Sequence, residues 1–461
     1  MRIKQSLPEL LQQLAARETE KVKLAVTDID GILRGKVISF EKFRSIAEKG
    51  FGFCDVVFGW DCGDHVYDNG AVTGLHTGYP DAIAVIDSQT FRQVPWEDGI
   101  PFFLADFRNR EEETLPVCPR GLLKTVVQQT LDLGYTAFFS QEFEWFNFIG
   151  AKQESTGIAS NGLSFQGLQS MTQGMFGYSI LRASQGSDYF HALFDQLKKF
   201  GVPVEGLHTE TGPGVYEAAI VYSDTLEAAD RAVLFKAGVK EIAHRHGVIP
   251  TFMAKFSESL PGCSGHIHQS IWSADGNRNL FYDKGSATGM SVLMESYIAG
   301  QLYCLPHILP MYAPTVNSYK RLVEGAWAPT TITWAIDNRT TALRALPGGE
   351  KSARLETRVV GADSNPYLAM AGCLASGLYG IRNKLTLDKP ASVGNGYADK
   401  SNGVLPGNLW DATQAMKGSA VAAELFGDIF VDHFTRTREW EWRQFARVVT
   451  DWEHKRYFEV I

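Results

Sequence analysis

The chain has 461 residues, 44% of them apolar and 21% charged, enough to build a large core spread over two or three domains. With 52 acidic side chains against 44 basic ones the formal net charge is -8, which excludes a broadly basic nucleic-acid-binding surface. The six cysteines are scattered with no C-x-x-C pair, which argues against a zinc knuckle and a disulfide framework and fits a reducing, cytoplasmic setting.

At the N-terminus, MRIKQSLPELLQQLAARETEKVK carries apolar residues at helical spacing interrupted by charges. No long apolar run follows, so neither a signal peptide nor a membrane span is expected. KLAVTDIDGILRGKVIS then sets apolar runs around an Asp-Gly turn, the pattern of a hairpin in a small sheet. Polar, turn-rich sequence from about 108 to 120 precedes helical periodicity in GLLKTVVQQTLDLG, and a domain boundary is expected there, giving units 1–112 and 113–461. Further helices are predicted at 186–200, 224–247, 286–303, 365–384 and 434–457, with strand-like stretches between them. There is no internal repeat or low-complexity tract, so the expected class is α+β: a small sheet domain, then a large mixed one.

Four separated segments share one peculiarity. In PGCSGHIHQSIW at 261–272, strand alternation puts His266, His268 and Ser270 on one face and Ile267 on the other. SQEFEWFNF at 140–148 places Glu142 and Glu144 opposite Phe143 and Trp145, and RLETRVV at 354–360 places Arg354, Glu356 and Arg358 opposite Leu355, Thr357 and Val359. GLHTETGPGVYEAAI holds Glu210 and Glu217 around a Gly-Pro-Gly turn. Solvated strands usually show lysine, threonine and serine on the wet face; glutamate, histidine and arginine facing one space would repel unless cations sat among them. An oxygen-rich ligand set favours Mg²⁺ or Mn²⁺ over zinc.

A fifth stretch, 317–346, supplies the opposite charge through Lys320, Arg321, Arg339 and Arg344. Arginine suits bidentate recognition of carboxylate or phosphate. Carboxylates for metals beside arginines for anions point to metal-assisted phosphoryl transfer. GILRGKV has too few residues between its glycines for the usual nucleotide loop, so a different fold would have to hold ATP.

These segments, in this order, resemble the glutamine synthetases. The likeness runs from DIDGILRGK through EFE, HTETGPGVYE, FKAGVKEIAHRHGVIPTFMAKF, GCSGHIHQS, NSYKRLVEG, NRTTALRAL and RLETRVVGADSNPYLAMAGCLASGLYGI to RVVTDWEHKRYFEV, nearly the whole chain. The resemblance implies an N-terminal β-grasp domain and a catalytic domain with a curved antiparallel sheet. It also implies funnel-shaped sites completed between subunits, commonly in a dodecamer of two stacked hexamers. Two or three divalent ions per site would be held by Glu144, Glu210 and Glu217 for the first and by Glu142, His266 and Glu356 for the second. His268, Ser270 and Lys351 would contact the nucleotide, and Arg339, Arg344 and Arg354 would clamp the transferring phosphoryl group. Gly262, Arg321 and Arg358 match positions that hold L-glutamate; the implied catalytic group is Arg339, Arg344, Glu356 and Arg358. The implied reaction is an ATP-dependent amide synthesis through γ-glutamyl phosphate.

The departures concern the nitrogen donor. Where the family has an acid that helps bind and deprotonate ammonium, EGAWAP carries Trp327, preceded by Ala326. The N-terminal loop that supplies an aspartate to the neighbouring subunit reads GFGFCDVVFGWDCGD; its aspartate position falls on Cys54, with Asp55 one step away. With Phe58 as a further candidate wall beside Phe53 and Trp60, the expected amine pocket is apolar and aromatic, suited to an alkyl or aryl amine. A polyamine or ethanolamine held by the indole face, ammonia as in a true glutamine synthetase, and a non-catalytic assembly are the alternatives. VTDIDGIL also resembles the start of an aspartate-nucleophile phosphatase, but the rest of that pattern is missing.

Overall fold

The computed structural model describes residues 6–109, 113–149 and 168–461. The boundary expected at 112 falls on residues 110–112, outside the described residues. Among the described residues, no helix is long and apolar enough to cross a membrane.

The chain opens with α1 (Leu7–Ala16), started by a reciprocal capping box between Ser6 and Glu9. Then come β1 (Lys21–Thr27), β2 (Leu33–Ser39), α2 (Phe40–Ile46), β3 (Phe51–Cys54), β4 (Asp81–Ile86), β5 (Arg92–Val94) and β6 (Ile100–Arg108). The first two strands form the expected hairpin, and Gly31 supplies the left-handed backbone (φ +81°) at its turn. The sheet order is β2-β1-β6-β4-β3 with β5 added to β6; β1 and β6 run parallel, and the other pairs run antiparallel. Leu10, Leu14, Phe43, Phe53, Phe58, Phe103 and Phe107 fill its core. Each such fully buried apolar side chain stabilises by about 1.5–3 kcal/mol.

The second part contains α3 (Pro119–Asp132), β7 (Tyr135–Ile149), β8 (Gln169–Ser170), α4 (Ile180–Gln185), α5 (Ser187–Lys199), β9 (Val204–Thr209), β10 (Val215–Ile220), β11 (Ser223–Asp224), α6 (Thr225–Arg245) and β12 (Val248–Thr251). It continues with β13 (Ile267–Ser273), α7 (Val292–Ile308), α8 (Ser318–Arg321), β14 (Trp334–Ile336), β15 (Leu343–Leu346), β16 (Arg354–Thr357), α9 (Pro366–Arg382), α10 (Leu409–Lys417), α11 (Ala420–Phe426), α12 (Asp428–Ala446) and α13 (Asp451–Tyr457). The main sheet path is β14-β15-β16-β13-β7-β10-β9. Strand β7 changes partners along its length: residues 135–141 pair with β13, 142–146 with β10 and 146–149 with β12. A sheet whose longest strand hands over between neighbours curls, and its concave face gathers the side chains discussed below.

Helices α7 and α9 pack so closely that a Cβ on Gly380 would lie 2.0 Å from the Ser296 carbonyl oxygen, which is why glycine stands there. The single helix expected over 434–457 is two. α12 ends at Ala446, and Thr450 with Glu453 forms a fresh capping box that starts α13. The helix expected at 286–303 begins later, where the Ser291 side chain caps α7 by accepting the Met294 N–H.

The two parts are joined by a buried ionic knot. Arg120 of α3 donates to both carboxylate oxygens of Asp230 on α6 (2.8 and 3.0 Å) and of Asp106 on β6 (2.8 and 2.9 Å), and to Asp87 (2.9 Å). The Tyr367 hydroxyl donates to the same Asp230 at 2.7 Å.

Candidate active site

Cross-strand register assembles the site. On the concave face Glu217 of β10 lies opposite both Glu144 of β7 and His208 of β9, while Glu356 of β16 lies opposite both His268 of β13 and Arg344 of β15. The other faces of these strands carry Phe143, Trp145, Ile267 and Leu355, all fully buried, so the alternation that builds the core also aims the polar groups. Two loop ladders lock the seam: the Glu142 N–H donates to the His266 carbonyl (2.9 Å) and the Glu144 N–H to that of Ser264 (3.0 Å).

A cavity of ≈ 550 Å³ is lined by Glu142, Glu144, Glu210, Glu217, His266 and Glu356, the six residues expected to hold metals. Two groups each offer three ligand atoms within 4.8 Å of one another: His208, Glu210 and Glu217 inside this cavity, and Glu142, His268 and Glu356 at its edge, where His268 lines the neighbouring cavity. His266 Nδ1 lies 3.3 Å from Glu356 and 3.6 Å from Glu142, and His268 Nε2 lies 3.0 Å from Glu142. Glu144 sits deeper, accepting the Ser264 N–H at 2.7 Å. His208 was not singled out in the sequence, although HTE places it two residues before Glu210, which lies just past the end of β9.

The electrostatics suit cations. Burial, helped by Glu144, Glu142 and Glu210, pushes the Glu217 carboxyl up to about 10, and burial raises Glu144 as well. Burial and the Arg358 guanidinium pull His266 down to about 4, leaving the neutral imidazole that metal ligation requires. Burial works against ionising Glu356, yet His266, His268 and Arg358 together hold it at about 2. For His268 the cost of burial is outweighed by Glu142, and its affinity for a proton rises. The Nε2 atom of His266 is buried with no hydrogen-bond partner. An orphaned ring nitrogen beside carboxylates of this kind fits a divalent ion.

Arginines border the carboxylates. Arg344 donates to Glu356 (2.9 Å) and to Asp337, Arg358 donates to Glu356 and, through Nε, to the Arg339 carbonyl (3.1 Å), and Arg339 itself lines the cavity. Arg354 donates from Nε to His268 Nδ1 at 3.2 Å, which directs the imidazole's other nitrogen toward Glu142. Arg321 is fully buried and donates to the Val359 and Arg358 carbonyls and the Ser264 hydroxyl. A Cβ on Gly262 would stand 2.7 Å from both the Ala254 carbonyl oxygen and Arg321 Cγ, so glycine there keeps the wall beside Arg321 open.

A second cavity of ≈ 290 Å³ is lined by His268, Ser270, Lys351 and Arg354, and it shares Glu142 with the acidic one. Phe138, Tyr222 and Trp272 give it an aromatic wall, Phe138 meeting the other two edge-on at 6.0 and 5.4 Å. None of the three was picked out in the sequence; the signal for Trp272 was the alternation His268, Ser270, Trp272 along β13, and Phe138 lies opposite Ser270 on β7.

Ala326 and Trp327 line the rim of the acidic cavity, with Trp327 62% exposed. Tyr178, missed in the sequence, lines it too, 70% exposed, with its ring centroid 4.5 Å from that of His208. Both aromatics hold left-handed backbone, at φ +57° and +55°, a strained state for bulky residues that gathers at functional sites. Phe58 requires a correction. It is 1% exposed and packs edge-on against Phe107 in the N-terminal core, so it cannot wall an amine pocket. Asp55 lies in the same N-terminal part, accepting the Thr73 hydroxyl at 2.7 Å, and does not line this chain's cavity.

Residues 116–457 match the glutamine synthetase catalytic domain. The chain belongs to the glutamine synthetase family. It is therefore an ATP-dependent carbon–nitrogen ligase. A type-1 glutamine synthetase of Dictyostelium discoideum is 49% identical over 455 residues, 98% of this chain and 86% of that protein. The glutamate–isopropylamine ligase of a Pseudomonas species is 34% identical over 96% of this chain and 95% of its own length. A gamma-glutamylethanolamide synthetase of Streptomyces coelicolor is 35% identical over 98% and 95%. A solved GmaS/ADP complex superposes with a TM-score of 0.82 at 27% identity, covering 97% of this chain and 99% of that one.

Proposed function

We propose that this enzyme joins the γ-carboxylate of L-glutamate to a primary amine, with a hydrophobic alkyl or aryl amine as nitrogen donor. A carboxylate is a poor electrophile, so its γ-oxygen first attacks the terminal phosphorus of ATP. The bridging P–O bond breaks and ADP departs. The amine lone pair then attacks the carbonyl carbon of γ-glutamyl phosphate, the acyl C–O bond breaks, phosphate leaves, and the nitrogen gives up a proton. Arg339, Arg344 and Arg354 would offset charge on the migrating phosphoryl group. Gly262, Arg321 and Arg358 would seat the glutamate, and His268, Ser270 and Lys351 the nucleotide. Glu142, Glu144, Glu210, Glu217, His266 and Glu356 would hold Mg²⁺ or Mn²⁺, with His208 as a further donor; the ions supply Lewis-acid stabilisation of phosphate charge. The meeting of the nucleotide and acidic cavities at Glu142 supports a transfer between them.

The observation that carries the choice of amine is Trp327 on the cavity rim, where the family's ammonium-binding acid is expected. An indole on a rim that also carries Tyr178 favours an uncharged, apolar donor, and an aryl amine is already neutral at pH 7 and needs no base. The names of the Pseudomonas and Streptomyces relatives support an amine larger than ammonia. Ammonia is the second reading, favoured by the Dictyostelium protein's name at 49% identity. We place the enzyme in the cytoplasm as a ring-forming homo-oligomer, with Asp55 serving a neighbouring subunit's site. Mass spectrometry of the amides formed from ammonia, ethylamine, ethanolamine, putrescine and aniline tests the reading. Preference for an apolar amine, shifted toward ammonia by Trp327→Glu, is expected; a clear preference of the native enzyme for ammonia rejects it.

A further inference from the structure

A third cavity, of ≈ 500 Å³, lies between the β1–β2 hairpin and α6, away from the acidic basin. Its charged lining is Lys23, Asp30, Arg34 and Lys36 from the N-terminal part and Lys236, Lys240 and Glu241 from α6. Most of these charges are already engaged. Asp30 binds Arg438 (2.6 Å), Glu241 accepts the Trp96 indole N–H (2.5 Å), Lys23 pairs with Glu97 (2.6 Å), and Arg34 pairs with Asp28 (2.9 Å) and Asp64 (2.7 Å). The other three ammonium groups form no close ion pair among the described residues. Lys36 sits 4.6 Å over Phe53, Lys236 donates to the Ser364 carbonyl at 3.1 Å, and Lys240 stands 5.9 Å over Phe252.

Lys236 and Lys240 are one helical turn apart, where like charges repel. Burial, then Lys240, against a weaker pull from Asp363, brings the Lys236 ammonium down to about 7. A concave pocket with surplus cationic donors and satisfied acids is short of an anion. We propose that this cavity binds a small dianion, a dicarboxylate or a phosphate, through Lys36, Lys236 and Lys240. Its position gives it a route to the catalytic strand. Lys236 lies 5.8 Å over the ring of Phe143, the β7 residue between Glu142 and Glu144, on the opposite face from the acidic basin.

The test is calorimetric titration of the native enzyme with inorganic phosphate and, separately, with succinate, repeated on K236M/K240M. Saturable binding of either anion, weakened at least about tenfold in the variant, is expected, and the anion that binds identifies the source. Binding at pH 8 should take up protons as Lys236 recharges, seen as a dependence of the heat on buffer ionisation. Acetic anhydride labelling of the native enzyme gives a readout that survives a folding failure of the variant: the dianion should protect Lys236 several-fold, read by mass spectrometry. Absence of saturable binding, equal binding to K236M/K240M, or unchanged labelling at Lys236 would overturn the proposal.

Discussion

His433 on α12 sets an acid limit to the fold. The ring is 1% exposed, packs near Phe58 with centroids 6.5 Å apart, and has no hydrogen-bond partner for either nitrogen. Burial, assisted by Arg438 and Arg436 against Asp432, draws it down to about 4 from an ordinary 6.5. Above pH 6.5 the ring is neutral in folded and unfolded chains alike and contributes no slope. Below that, the unfolded chain takes the proton first, so stability falls with pH until about 4, where the folded ring also protonates. Between pH 7.5 and 4.5 the linkage amounts to roughly 2–3 kcal/mol. His433→Leu removes the titration and the orphaned nitrogens while keeping volume. Urea unfolding followed by tryptophan fluorescence at both pH values should show native enzyme losing roughly 2–3 kcal/mol more than the variant. Equal losses in the two proteins would refute the reasoning.

Replacing Arg120 by Met takes away the cation that Asp106 and Asp230 share, leaving Lys124 to Asp106 and the Tyr367 hydroxyl to Asp230, and should lower stability by about 3 kcal/mol in the same urea assay. Glu142→Gln removes the carboxylate shared by the two cavities; kcat should fall at least about 100-fold, and saturation by Mg²⁺ or Mn²⁺ should require a higher concentration. Gly262→Ala pushes a methyl into Arg321 and should raise KM for the acid substrate roughly tenfold with a smaller change in kcat, measured by steady-state kinetics.

Much of the site could be read from strand alternation, because the pleat gives a period of two wherever one face is buried. Glu142 and Glu144, His266 and His268, and Arg354, Glu356 and Arg358 all emerged that way and line the two neighbouring cavities. Pairings across strands are not written in local pattern, so the juxtaposition of His208 with Glu217 could not be read in advance. Tyr178 was invisible for a different reason: it stands in an irregular segment at positive φ, where no periodicity operates. Phe58 misled because an aromatic in a loop-like stretch reads the same whether it faces a ligand or its own core. The break between α12 and α13 was legible in T-D-W-E, whose threonine and glutamate carry the capping box.

The changing partnership of β7 has a consequence for how such an enzyme can diversify. One inserted or deleted residue near its centre would exchange Phe143 and Trp145 with Glu142 and Glu144, ruining hydrophobic packing and chemistry in a single stroke. Tyr178 and Trp327 hang from connecting segments that answer to no such ladder. On the proposed reading, the rim can therefore change its nitrogen donor while the strand that carries Glu142 and Glu144 is held in register beneath it.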